Sequence, residues 1–176
     1  SLFLADLDAS TTTDPNIPDT DGDGLSDGFE DANLDGAVDV TETDPNNVDT
    51  DGDTCDDAQE LSDGTDPLIA DMDGEGVADC VEILESLDPN NPDFDGDGLN
   101  DGDEIGLSSD PTDMDSDDDG IRDGDEVNIY STDPIALDSD GDGLSDGLEI
   151  GLFAITYSDT DSSVFVADSD PSTTTD

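Results

Sequence analysis

The residues with the clearest chemistry form a twelve-residue acidic stretch, 19–30, which reads Asp-Thr-Asp-Gly-Asp-Gly-Leu-Ser-Asp-Gly-Phe-Glu. Its acidic side chains fall at positions 1, 3, 5, 9 and 12, and Gly24 stands at position 6, where a sharp turn needs it. Short carboxylates on alternate residues, a backbone carbonyl at position 7 and a longer closing glutamate supply the about six to eight oxygens that Ca²⁺ prefers. The stretch is therefore a candidate calcium-binding loop.

The same pattern returns six more times, which gives loop one (19–30), loop two (31–42), loop three (49–60), loop four (71–82), loop five (93–104), loop six (115–126) and loop seven (138–149). From loop three onward the loops start 22 or 23 residues apart, as in an array of like units. Loop two departs from this spacing because it follows loop one without a gap. Loop three has Thr54 instead of glycine at position 6, which is expected to strain its turn.

Positions 1, 3, 5, 7, 9 and 12 of each loop are the predicted ligands, with position 7 contributing its backbone carbonyl. They are Asp19, Asp21, Asp23, Leu25, Asp27 and Glu30; Asp31, Asn33, Asp35, Ala37, Asp39 and Glu42; Asp49, Asp51, Asp53, Cys55, Asp57 and Glu60; Asp71, Asp73, Glu75, Val77, Asp79 and Glu82; Asp93, Asp95, Asp97, Leu99, Asp101 and Glu104; Asp115, Asp117, Asp119, Ile121, Asp123 and Glu126; and Asp138, Asp140, Asp142, Leu144, Asp146 and Glu149.

The charge of the chain points to the same chemistry. The 176 residues carry a formal net charge of −53, with Arg122 as the one basic residue. Seven of the nine glutamates stand at loop position 12, so the acidity follows the loops instead of spreading over a solvating surface. Self-repulsion on this scale opposes a compact state, and cations, about seven or more Ca²⁺ ions, are therefore expected to be part of the fold. Nucleic-acid binding is not predicted, because it needs Lys and Arg.

Short elements must connect the loops. Asp-Pro occurs at 14–15, 44–45, 66–67, 88–89, 110–111 and 133–134, and each Pro lies four residues before the first Asp of a loop. Proline fixes its own φ and makes the preceding residue extended, so each Asp-Pro ends a helix of one or two turns. Its carboxylate either only shapes this turn or also binds a neighbouring ion. Position 7 and the residue after position 12 are expected to form a thin apolar seam.

The two ends of the chain differ from the array in composition. Residues 2–6 predict a strand, and 152–157 with 163–167 predict a β-hairpin, because they are rich in β-branched and aromatic residues. Residues 1–14 and 163–176 are identical at ten of fourteen positions, which favours one period of a larger tandem repeat over two similar linkers. The predicted fold is mostly irregular, with an N-terminal strand and Thr-rich linker (1–18), the loop array (19–150), and a hairpin with a second Thr-rich linker (151–176).

The two cysteines and the threonine tracts suggest an oxidising environment. Cys55 and Cys80 lie in adjacent loops without a nearby histidine, which suits an inter-loop disulfide; two reduced thiols are the alternative. The tracts 11–13 and 173–175 are compatible with O-linked glycans or with bare threonines. With no apolar run of about 20 residues, no membrane insertion is predicted.

The repeated Asp-x-Asp-x-Asp-Gly-x-x-Asp-x-x-Glu loops, preceded by Thr-Asp-Pro, resemble the thrombospondin type 3 repeat in the form found in bacterial surface proteins. The resemblance covers about residues 13–150. It implies a chain wrapped on Ca²⁺ ions, little regular secondary structure, disulfides between adjacent repeats, and an extracellular structural or adhesive role.

These features favour one function over four others. An extracellular stalk or fibre unit made rigid by Ca²⁺, which associates end to end or continues in tandem, fits the array best. A cell-surface adhesin spacer that binds a protein or glycan is the first alternative. An EF-hand-like buffer or sensor needs a helix on each side of a loop, and the ten residues between loops, broken by Asp-Pro, leave no room for both. A dockerin-like pair of loops ranks lower, and no enzyme is predicted because no nucleophile–base pair is identifiable.

Overall fold

The computed structural model describes residues 12–152, and this part of the chain is mostly irregular, with short helices and no β-strand. The helices are α1 (Asp27–Glu30), α2 (Asp57–Asp63), α3 (Asp79–Glu85), α4 (Asp101–Leu107), α5 (Asp123–Asp125) with a π-helical turn (Glu126–Tyr130), and α6 (Asp146–Glu149). The predicted strand at 2–6, nearly all of the hairpin and the C-terminal Thr tract lie outside the described residues.

The chain divides into two compact units, Ser1–Asn90 and Asn91–Asp176. The first unit holds loops one to four and the second holds loops five to seven. No helix among residues 12–152 is long and apolar enough to cross a membrane.

Every helix begins at position 9 of a loop, so the loop and the helix are one continuous element. The residue before it is extended in each case, as at Ala78 with φ −78° and ψ 141°. The acidic residues at positions 9 and 12 then fall in the first helical turn, where the helix dipole favours negative charge. Loop two is the exception, since no helix follows Asp39.

The longer helices end in the same left-handed turn. Gly64, Ser86, Ser108 and Ser131 have φ between 62° and 96° and follow the helices as caps. In α3 the N–H of Leu87 then donates to the carbonyl of Glu82 at 2.8 Å, which closes the turn. Loop six is followed by one extra residue before its cap, and the π-helical turn absorbs this residue.

Each Asp-Pro carboxylate shapes a local turn. The Oδ1 atoms accept the N–H two residues ahead, for example from Asn16 to Asp14 at 2.9 Å and from Thr112 to Asp110 at 3.0 Å. These two carboxylates are exposed, and the bond to Asn16 lowers the pKa of Asp14. The contacts support a turn-forming role, and binding of a neighbouring ion by these aspartates stays a prediction.

The interior of the array consists mainly of carboxylates. The buried apolar side chains among residues 12–152 are Val77, Leu87, Leu99 and Ile121, whereas the largest fully buried side chains are the position-12 glutamates of loops one and three to six. At position 7, Val77, Leu99 and Ile121 are buried, so in loops four to six this position joins the apolar seam, as predicted. The residue after position 12 is buried in none of loops three to six: Leu61 and Ile105 are each 46% exposed, and Ile83 and Val127 are half-buried. The helix directs it outward, because position 12 on the same turn points inward.

Candidate metal centre

Backbone N–H groups hold the carboxylates of each loop in place, as loop five shows. Both oxygens of Asp93 accept N–H groups, from Gly96 at 2.8 Å and Gly98 at 3.2 Å. Oδ1 of Asp95 accepts from Asp97 at 3.0 Å, and Oδ1 of Asp97 accepts from Leu99 at 2.7 Å. The turn therefore holds the carboxylates at positions 1, 3 and 5 in place. The second oxygens at positions 3 and 5 accept no N–H group from their own loop.

Position 9 closes the loop. The N–H of the position-2 residue donates to the Oδ1 atom of the position-9 aspartate, as from Phe94 to Asp101 at 2.8 Å. In return, the N–H of Asp101 donates to the carbonyl of Pro92 at 3.2 Å. The same pair of bonds recurs in loops one, three, four, six and seven.

Many of the remaining carboxylate oxygens of loops one and three to six are buried without a hydrogen-bond donor, and most of them occupy the same few loop positions. They include Oδ2 of Asp21, Asp51, Asp73, Asp95 and Asp117 at position 3; Oδ2 of Asp79 and Asp123 at position 9; and oxygens of Glu30, Glu60, Glu104 and Glu126 at position 12. Burying an anion without a partner is very costly. Oxygens repeated at fixed positions therefore mark the places where cations belong.

The raised pKa values of three position-12 glutamates show the same cost of burying carboxylates. Burial, with repulsion from Asp95 and Asp97, raises the pKa of Glu104 to about 9. Burial and Asp117 raise that of Glu126 to about 9, and burial and Asp51 raise that of Glu60 to about 8. Burial is the larger cause in all three. A bound cation would reverse these shifts.

The oxygens of one loop meet an aspartate of the next regular loop. Carboxylate oxygens of Asp23 and Glu30 in loop one lie within 4.8 Å of one from Asp57, the position-9 residue of loop three. Asp23, Glu30 and Asp57 thus form a shared cluster between two repeats. Asp123 likewise contributes to the raised pKa values of Asp95 and Glu104.

A hydrogen bond accompanies this sharing. The second oxygen of the position-5 aspartate accepts the N–H at position 10 of the following repeat. The distances are 3.3 Å from Ala58 to Asp23, 3.2 Å from Cys80 to Asp53, 2.6 Å from Gly124 to Asp97 and 2.5 Å from Gly147 to Asp119. Each of these helices is therefore capped by the preceding repeat.

Loop two stands outside this series. Both oxygens of Glu42 accept backbone N–H groups, from Asn33 at 3.0 Å and Asp39 at 3.2 Å. None of its carboxylate oxygens is buried without a donor. Since Asp23 reaches past it to Ala58, loop two is an insertion between the first and second regular repeats, and its own ion site stays a prediction.

The donor set fits a hard divalent cation. Clusters such as Asp49–Asp51–Asp53 and Asp93–Asp95–Asp97 offer only carboxylate oxygens, which suit Ca²⁺ and not a thiolate-seeking metal. Cys55 and Cys80 approach Asp53, but their sulfurs are joined in a disulfide, which confirms the inter-loop pairing. The position-7 carbonyls are not tested by these contacts and remain predicted ligands.

The fold and these clusters define an array of calcium-binding loops that share carboxylates from repeat to repeat. A family model described as the bacterial TSP3 repeat matches residues 19–33, 93–113, 115–135 and 138–150, which confirms the predicted resemblance over these segments. Repeats of this family bind calcium and are extracellular in type. Loops three and four keep the loop pattern outside the matched segments. No curated protein and no solved structure matches the chain.

The sequence assigned the position-9 aspartate only to its own loop. It did not predict that this residue also lies beside the preceding repeat. The Asp-Pro spacing held a usable signal, because Asp-Pro precedes every loop except loop two. The missing Asp-Pro before loop two indicates that loop two is an insertion and that loops one and three are neighbouring repeats.

Proposed function

We propose that this chain is an extracellular structural protein, a stalk or a repeating unit of a fibre, which Ca²⁺ ions hold in shape. The carrying observation is the series of buried carboxylate oxygens without donors at positions 3, 9 and 12. Because Asp23, Glu30 and Asp57 come from two repeats, an ion bound there would join one repeat to the next.

Calcium binding and folding are coupled in this proposal. With few buried apolar side chains and a net charge of −53, the metal-free chain has little to offset its self-repulsion. Extracellular calcium modules work at roughly 10⁻⁴–10⁻³ M. The array would be rigid in that range and loose in calcium-poor medium, which suits a mechanical role outside the cell.

The helices argue against a sensor. An EF-hand opens by moving two helices that flank its loop. The helices among residues 12–152 have at most seven residues, and no loop in this range has a helix directly on both sides: α1 runs into loop two, but no helix follows that loop. A structural role, and not a regulated opening, is the function that this geometry supports.

Circular dichroism and hydrodynamic radius, measured in millimolar Ca²⁺ and again in excess EGTA, test the proposal. We expect chelation to expand the chain and to remove its helical signal, and recalcification to restore both. A circular dichroism signal and a hydrodynamic radius that do not change in EGTA would show that calcium does not stabilise the fold.

Native mass spectrometry tests which residues hold the ions. We expect more than one ion per loop on average, and a plateau at seven or fewer contradicts this. Glu104→Gln should lower the count, since both Glu104 carboxylate oxygens are buried without donors. Asp103→Asn is the matched control, because this neighbouring carboxylate is exposed on the same helix; an equal loss in both variants would contradict the site.

A further inference from the structure

Loops three and four are joined twice at one place. The second oxygen of Asp53, at position 5 of loop three, accepts the N–H of Cys80, at position 10 of loop four, at 3.2 Å. Cys80 is also joined by the disulfide to Cys55, at position 7 of loop three. One carboxylate oxygen of Asp53 and the two sulfurs all lie within 4.8 Å of one another. The covalent bond therefore lies at the junction itself.

The disulfide lies beside predicted calcium ligands of both loops. Asp53 is two residues from Cys55, whose own carbonyl is a predicted ligand, and Asp79 at position 9 of loop four directly precedes Cys80. Asp53 is 5% exposed, Asp79 is fully buried, and Oδ2 of Asp79 has no hydrogen-bond donor. Burial raises the pKa of Asp79, and repulsion from Asp53 adds to the rise, so the two carboxylates face each other across the junction.

Junctions elsewhere among residues 12–152 have the hydrogen bond without the covalent bond. The N–H of Gly124 donates to Asp97 at 2.6 Å, and that of Ala58 donates to Asp23 at 3.3 Å, but the chain has no further cysteine. When no cation is bound, repulsion between the carboxylates opposes these contacts. At loops three and four the disulfide limits how far the two repeats can separate, whether or not an ion is bound.

We propose that the Cys55–Cys80 disulfide positions the carboxylates of loops three and four for Ca²⁺, so that this junction binds calcium at lower concentrations than the same junction with reduced thiols. Ion binding must bring two repeats together, and a bond between residues 25 apart in the sequence has already removed much of the freedom that this step costs. The bond is thus a thiol-sensitive control of calcium affinity at one junction of the array. The inference rests on the proposed calcium-dependent fold.

Hydrogen exchange of the full chain, read by mass spectrometry through a Ca²⁺ titration, tests the proposal junction by junction. The N–H of Cys80 reports on the junction of loops three and four, and the N–H of Gly124 reports on that of loops five and six, which has no disulfide. The titration is repeated in dithiothreitol. Its two thiols give two electrons and two protons to the disulfide, which becomes two cysteine thiols, while dithiothreitol becomes a cyclic disulfide.

Reduction is expected to raise the calcium midpoint for protection of Cys80 and to leave that for Gly124 unchanged. A disulfide typically changes a folding equilibrium by about a hundredfold, and this gain is divided among the ions bound at the junction, so the midpoint should rise about three- to tenfold. The double variant Cys55→Val with Cys80→Ala is the control for packing, because Val77 and Ala58 stand at the same loop positions in loops four and three. Its midpoint at residue 80 should equal that of the reduced wild type and should not respond to dithiothreitol.

Three results overturn the proposal: a Cys80 midpoint that dithiothreitol does not change, an equal change at Cys80 and Gly124, or a double variant whose midpoint matches that of the oxidised wild type. The response to Ca²⁺ itself separates this failure from that of the proposed function. A chain that gains protection at both junctions with Ca²⁺ but does not respond to dithiothreitol contradicts only this inference. A chain whose protection does not depend on Ca²⁺ contradicts the proposed function as well.

Discussion

Asp53 of loop three caps the helix of loop four through the backbone N–H of Cys80, at 3.2 Å from its Oδ2 atom. Its other oxygen accepts the N–H of Cys55 at 2.7 Å. The two cysteines are themselves joined by a disulfide, with their Cα atoms 5.8 Å apart. One carboxylate and one covalent bond therefore tie the same two repeats at the same place, and the other junctions rely on the carboxylate without the covalent bond.

Asp53→Asn is expected to destabilise the calcium-loaded array by about 2–3 kcal/mol, because two bonds to a charged acceptor are weakened and an amide NH₂ then faces a backbone N–H. Thermal unfolding in Ca²⁺ measures this. Asp35→Asn in loop two is the matched control. Asp35 makes the same bond within its loop, from Ala37 at 2.9 Å, but among residues 12–152 it accepts no bond from a following repeat. Equal effects of both variants would contradict the junction.

Gly124→Ala is expected to cost about 1–3 kcal/mol, since its Cβ would press on the backbone of residues 97–99 and force the two repeats apart. Gly106→Ala should be neutral or stabilising by up to about 1 kcal/mol, because it adds a helix-favouring residue in open space. Urea unfolding of both variants in Ca²⁺ provides the comparison. A Gly124→Ala chain as stable as Gly106→Ala would refute the close approach.

Thr54→Gly should stabilise the chain by about 1–2 kcal/mol. Thr54 has a φ of 89°, which is costly for a β-branched residue, so the strain predicted at this loop position is present. Position 6 in loop five holds Gly98 with a φ of 101°, and Gly98→Thr should destabilise by a similar amount. Melting temperatures in Ca²⁺ check both changes. Opposite signs are expected, and a destabilising Thr54→Gly would contradict the argument.

The metal-free chain should be more compact at about pH 5 than at about pH 9. The pKa values of Glu60, Glu104 and Glu126 in the folded state are raised from 4.5 to about 8, 9 and 9. The folded state therefore binds more protons than the unfolded state, and the stability present below pH 4.5 is lost as the pH rises through the folded values.

Hydrodynamic radius in EGTA across this pH range is the measurement. In saturating Ca²⁺ the expansion at high pH should disappear, because the ion replaces the protons, and adding Ca²⁺ near neutral pH should release protons into a weakly buffered solution. A metal-free chain that expands as the pH falls would contradict the prediction.

Much of the site was predictable because an ion-binding loop is a local object. The spacing of Asp93, Asp95, Asp97 and Glu104 specifies a turn whose own N–H groups orient the carboxylates, and no distant residue is needed to form it. The short helices were also predictable, since Asp-Pro limits their length. The sequence did not predict whether the residue after position 12 points inward or outward. The burial of Glu60 and Glu104 sets the rotation of each helix about its axis, and this burial is known only from the structure.

The sequence by itself determined the chemistry: seven oxygen-rich loops, a charge that demands cations, and short connections that exclude paired helices. Only the tertiary structure decided which loops share their carboxylates. Asp23 passes over loop two to cap the helix at Ala58, and Asp57 stands beside Glu30. The spacing of acidic residues fixes one oxygen of each carboxylate within its loop, but the partner of the second oxygen depends on how one repeat stacks on the next.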